Sequence, residues 1–184
     1  KQAEMIRNSM KKILYILFLV TGMQGIYAQS DGNHFTEGEK LRFVIYYGPI
    51  HGGYVDSELL LTEYDGHKVY HSSMIAKTTG LADVLYQVRD EYQSFFDTGT
   101  ILPYKSIRDI SEGKYKKYNQ VFYDHPSCKV VNIDKKEFDV PADIRDMVSV
   151  FYYVRNVDFS SLKPGDIIKI NTFFDNEIFP FDIR

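Results

Sequence analysis

One stretch, Val140 to Asn156 (VPADIRDMVSVFYYVRN), interrupts a chain nearly all of which otherwise alternates at the two-residue period of a strand. Within it Ile144, Met147, Val148, Phe151 and Val154 recur at helical spacing, which predicts an amphipathic helix over about 141–155. Pro141 suits a first turn, where its missing N–H has no partner to lose, and Asp143 lies near the positive end of the helix dipole. One amphipathic helix among many strands needs a sheet on which to bury its stripe. The expected fold is therefore mainly β: a curved antiparallel sheet or incomplete barrel, with this helix on its concave side.

The strands follow from alternation and turn chemistry. They are expected at Lys40–Gly48, Tyr54–Tyr64 and His67–Thr78, with Pro49–Gly53 as a loop. Asp65-Gly66 is a two-residue hairpin turn that needs positive φ. Thr79-Gly80 breaks the pattern, and Leu81, Val84, Leu85 and Val88 then recur at helical spacing, predicting a short helix over about 80–87. Further strands are expected at Arg89–Asp97, Tyr104–Ile110, Lys114–Asp124, Cys128–Ile133, Glu137–Val140, Ile167–Phe174 and Glu177–Ile183. For the first three strands an up-down-up meander is the economical topology.

The first 28 residues read as a secretory leader. Lys11 and Lys12 precede an apolar run, Ile13 to Val20, followed by small residues up to Ala28, after which cleavage is expected. Met10 reads as the start, with residues 1–9 upstream. The apolar run is too short for a permanent span, so the mature chain, 29–184, is expected to form one β-rich domain without an integral membrane segment. Gln29–Thr36 is polar and reads as a frayed lead-in. Removing residues 1–28, with four basic residues against Glu4, moves the formal net charge from −3 to −6. That balance argues against nucleic acid, whose binding rests on neutralising phosphates. The lone Cys128 has no disulfide partner within the chain, so the core must hold the fold. Aromatics are abundant, 15 Tyr and 13 Phe, which suits pleated surfaces and also a ring-lined groove.

Candidate chemistry is thin. His67 and His71 are four residues apart on a strand, about 13 Å, too far to share one ion. Cys128 and His125 flank a Pro-Ser turn with no third group to orient a base. His51-Gly52-Gly53 lacks the nucleophile elbow that would make it an oxyanion loop. Asp90 and Glu91 point to opposite faces, and Asp175 with Glu177 sits at a turn. No catalytic set, metal site or cofactor is implied. The helix carries the remaining candidates: Asp146, Ser149 and Tyr153 as a polar strip opposite the apolar face, Tyr152 beside them, and Arg155. The last returns to the centre of the apolar face, where it must snorkel, pair with an acid, cap carbonyls or face a ligand.

Several motifs carry a resemblance. Phe35-Thr36-x-Gly38-Glu39-x-Leu41, Tyr46-Tyr47-Gly48, Gly52-Gly53, Thr79 to Tyr86, Arg89-Asp90 and above all Asp146-Met147-Val148-Ser149-x-Phe151-Tyr152-Tyr153-x-Arg155 resemble the exported bacterial family called domain of unknown function 3108. The resemblance implies an envelope location, no established activity and no catalytic residues. Members continue into further strands, which implies that this sequence is a fragment. The build is loosely similar to periplasmic lipoprotein carriers, an analogy of architecture alone. The expected function is a non-enzymatic periplasmic or envelope protein binding an apolar or amphipathic molecule in an aromatic-lined groove, with Asp146, Ser149, Tyr152, Tyr153 and Arg155 as its contacts. The alternatives are an assembly module for another envelope protein and, more remotely, a glycan or cell-wall hydrolase.

Overall fold

The computed structural model describes residues 33–183; the predicted leader lies outside the described residues. The elements run β1 (Lys40–Tyr47), β2 (Ile50–Tyr64), β3 (His67–Thr78), α1 (Gly80–Leu85), β4 (Arg89–Asp97), β5 (Pro103–Glu112), β6 (Tyr115–Asp124), β7 (Lys129–Asn132), β8 (Glu137–Asp139), α2 (Met147–Arg155), a 3-10 turn at Phe159–Ser161, β9 (Ile168–Phe174) and β10 (Glu177–Ile183). Strands β1 to β8 form one antiparallel sheet in strict sequence order, left open between its two edges, and β9–β10 form a separate hairpin. The fold is mainly β with two helices, as the alternation predicts. Asp65 and Gly66 both take positive φ, 50° and 75°, so the β2–β3 turn is the one its sequence demands.

Strand β2 begins at Ile50 rather than Tyr54, because Gly52 and Gly53 belong to it. Gly53 faces Thr78 across the ladder, and a Cβ there would stand 2.1 Å from the Lys77 carbonyl oxygen. Only glycine lets the two backbones come that close.

One face of the sheet is covered. Val55, Ser57 and Leu59 on β2, Ser72 and Met74 on β3, Ser94 and Phe96 on β4, Val121 and Tyr123 on β6 and Val130 on β7 all point to it and are buried. Helix α2 covers the first part through Val148 and Tyr152, which pack with Phe35, Leu59, Met74 and Phe96. The β9–β10 hairpin covers the second part through Phe173, against Val121, Tyr123, Val130, Val140 and Ile144. The far side of α2 buries Val150 and Val154 against Ile170 of that hairpin.

Three expectations are corrected here. The helix starts at Met147, not Pro141: the Ile144 N–H closes a turn on the Pro141 carbonyl, and Arg145 then pairs in parallel with Thr172, its N–H donating to Asn171 and its carbonyl accepting from Phe173. The short helix ends at Leu85, where Tyr86 is already extended. The lead-in is docked as far as it is described, since Phe35 lies in the core, edge-on to Tyr70 and Tyr152 at 5.5 and 4.8 Å.

Candidate functional site

Asp146 is the N-cap of α2. Its Oδ1 accepts from the Val148 and Ser149 N–H groups at 2.8 and 2.9 Å, while Ser149 Oγ accepts from the Asp146 N–H at 3.0 Å, a reciprocal capping box. Its Oδ2 accepts from Ser94 Oγ at 2.6 Å. The carboxyl is fully enclosed, and burial raises its pKa despite the donors from Ser94, Ser149 and Val148. One turn on from Ser149, the Tyr152 hydroxyl sits between Ser57 Oγ and Ser72 Oγ at 3.2 and 3.1 Å.

The expected sidedness of the helix is thus reversed for part of its surface. Asp146 and Ser149 do not form a strip opposite the apolar face; they are among its most enclosed residues, and Phe151 is only half-buried. The sheet explains this. Inward positions of β2, β3 and β4 carry Ser57, Ser72 and Ser94, small enough to let a helix approach and able to bond what it brings.

Tyr153 lies under the buried Arg145, whose guanidinium is 3.9 Å from the ring centre and donates to the carbonyls of Thr100 and Ile101. Arg155 makes a two-bond pair with Glu39 at 2.6 and 2.7 Å, donates to the His34 carbonyl and sits over the rings of Phe35, Phe151 and Tyr152. Of the roles left open for Arg155 in the sequence, pairing with an acid is the one seen. The structure therefore brings Asp146, Ser149 and Tyr152 together on one buried line. Tyr153 and Arg155 belong to two separate contacts. All five side chains are engaged with the protein itself.

Between helix and sheet the space is filled by rings. Near the helix start lies a cleft of about 40 Å³, bounded by Tyr92, Arg108, Asn119, Asp146, Phe173 and Asp175. That is room for water-sized guests rather than an acyl chain. Arg108 stacks on Phe174 at 4.2 Å and shares the Asp175 carboxylate with Lys117. Burial opposes it, but the bonds from Lys117 and Arg108 hold Asp175 below the usual carboxylate range.

Asp90, on the same face, behaves oppositely. Burial pushes its pKa up to about 6, only partly offset by the Ser111 N–H at 3.0 Å, and the neighbouring Glu112 adds to the rise. A carboxyl with a raised folded-state pKa binds protons that the unfolded chain has already released. Its contribution to stability therefore falls as pH rises from about 4 through 6. Asp90→Asn should remove that slope: the variant gains on the parent as pH rises, most above pH 7, and loses its advantage near pH 4, read by thermal unfolding across that range.

The other sequence candidates separate. His125 bonds the carbonyls of Pro103 and Ala142 at 2.8 and 2.9 Å, and Cys128 is exposed in the turn beyond it. Glu91 bonds Ser73 and Gln93 on the uncovered face, away from Asp90. Among the described residues no group of three or more His, Cys, Asp or Glu side chains is placed to hold a metal ion.

The uncovered face holds an arrangement that reading single residues missed. Register places Leu60, His71, Phe95, Lys105 and Phe122 opposite one another, a row across β2 to β6. His71 stacks on Phe95 at 4.1 Å; Tyr64 adjoins Phe95 at 5.4 Å, and Tyr104 lies between Tyr64 and His67. The Lys105 ammonium stands 5.6–6.0 Å from the centres of Phe122, Phe95 and Tyr64. Among the described residues Lys105 has no carboxylate partner. The signal was present as aromatic content, but cross-strand register, not local spacing, assembles the row.

Fold and site together define a class: an open antiparallel meander roofed on one face by a capped helix and a hairpin, with rings bared on the other. Residues 42–184 match the sequence model of a family described as "Protein of unknown function (DUF3108)", and the chain belongs to that family. No curated protein and no solved structure matches it. None of the described helices is long and apolar enough to cross a membrane.

Proposed function

We propose that this is a non-enzymatic, exported protein of the cell envelope that binds an amphipathic, lipid-like anion on the uncovered sheet face. The observation that carries the reading is the row of rings around an unpaired Lys105. Rings offer apolar area to a chain, and the ammonium offers a charge to a carboxylate or phosphate head. The leader-like residues 1–28 support export. The filled space beneath α2 favours the open face over a groove between helix and sheet.

Delipidated protein titrated with a fluorescent fatty acid tests this. Saturable uptake is expected, weakened on the order of tenfold by Phe95→Ala and again by Lys105→Glu. No uptake by the parent protein, or uptake indifferent to both changes, sinks the proposal.

A further inference from the structure

Six strand ends meet at one end of the sheet, and the surface there is apolar. On α1, Leu81, Val84 and Leu85 are 60%, 83% and 75% exposed; Tyr46 and Tyr86 follow at 59% and 53%, with Ile50 and Tyr115 also exposed. The group is contiguous. Thr79 N–H donates to the Gly52 carbonyl, the His51 ring lies 5.4 Å from Tyr46, and Tyr86 packs on Gly113 in the β5–β6 turn and bonds the Glu112 carbonyl.

The short helix is inverted. Its acid, Asp83, is folded back onto the strands, held by Arg89 at 2.7 and 3.1 Å and by Thr78 at 2.7 Å. Those bonds from Arg89 and Thr78 hold its pKa down to about 2, so it stays charged and anchored. The polar side of α1 thus faces the protein and the apolar side faces out. In a water-facing helix the reverse is the rule.

From this geometry we infer that the α1 end of the sheet docks on an anionic lipid bilayer, with Val84 and Leu85 entering the headgroup–acyl boundary. The surface is a prow of one helix and two turns, with its aliphatic side chains the most exposed residues of the group. Its composition is that of an interface: aliphatic residues at the apex, tyrosines around them, lysines at the margin. Lys114 and Lys116 flank Tyr115, and neither pairs with a carboxylate among the described residues. A chain of net negative charge thereby turns cations toward anionic headgroups at this end. The site is separate from the ring row, since His71 stands seven strand residues, roughly 23 Å, from the end of β3.

The chain has no tryptophan, so Val84→Trp supplies a lone reporter in the full chain. On vesicles of equal parts phosphatidylcholine and phosphatidylglycerol, its emission should move to the blue and be quenched by lipids brominated in the upper acyl chain. Glu63→Trp, exposed at the far end of the sheet, should stay unshifted. Lys114→Gln and Lys116→Gln should each weaken the shift's lipid dependence about fivefold. Phe95→Ala should leave it unchanged, even if fatty-acid uptake fails. An unshifted Val84→Trp on vesicle-bound protein overturns the inference, as does an equal shift at Glu63→Trp. So does a lipid-independent shift that grows with protein concentration, which would assign the prow to a second copy of the chain.

Discussion

Tyr152→Ala is expected to lower the unfolding free energy by about 3–5 kcal/mol, the range for emptying a large aromatic site in a core. Tyr152 is fully buried, its ring 4.8 Å from Phe35 and 5.1 Å from Phe96 and Phe151. Nothing nearby is free to collapse into the space: Phe96 is fixed in β4 and Phe35 is clasped by its own neighbours. Tyr152→Phe separates ring from hydroxyl. It keeps the packing but leaves Ser57 Oγ and Ser72 Oγ buried without their shared partner, at a cost of about 1–3 kcal/mol. Urea unfolding of both variants measures the two parts. A neutral Tyr152→Phe would show that the serine pair contributes nothing to holding α2.

Asp146→Ala is the second large effect, about 2–4 kcal/mol by the same measurement. It removes the acceptor for two N–H groups at the helix start, about 1 kcal/mol for a cap, and strands the Ser94 hydroxyl. Against this stands the cost of keeping a carboxylate enclosed, which is why Asp146→Asn separates charge from geometry. The amide oxygen can still accept from Val148 and Ser149, and the Ser94 hydroxyl can turn to accept. Asp146→Asn should therefore be much milder than alanine. Because burial raises the Asp146 pKa, its relative standing should improve as pH rises and the parent carboxyl ionises. If asparagine proves as damaging as alanine, the negative charge itself is required and this account of the cap fails.

The parts of this fold that were readable from the sequence are those fixed by near neighbours. Alternation along β3 and the Asp65-Gly66 turn specify a hairpin without help from the rest of the chain. The start of α2 was not readable from apolar spacing, because Ile144 fits the helical stripe yet closes a turn on Pro141, just before Arg145 bridges to β9. The better signal was chemical: Asp146 followed three residues later by Ser149 is a cap pattern, and it marks the true start. The buried polar line of α2 needed the serines of three strands, and Arg155 needed Glu39, 116 residues earlier. Such pairings are set by tertiary register, which no window of the sequence contains. The inversion of α1 misled in the opposite way. Leu81, Val84 and Leu85 give a good helical stripe, and the stripe points to solvent.

The Glu39–Arg155 pair also bears on the order of assembly. Every ladder in the main sheet joins sequence neighbours, so each hairpin closes a short loop and can form early. The clasp between the approach to β1 and the end of α2 closes a far longer loop, with a larger entropic penalty to meet before it is rewarded. It can only engage once the meander exists to bring its halves together. The expected order is therefore sheet first, with this clasp among the last contacts to close.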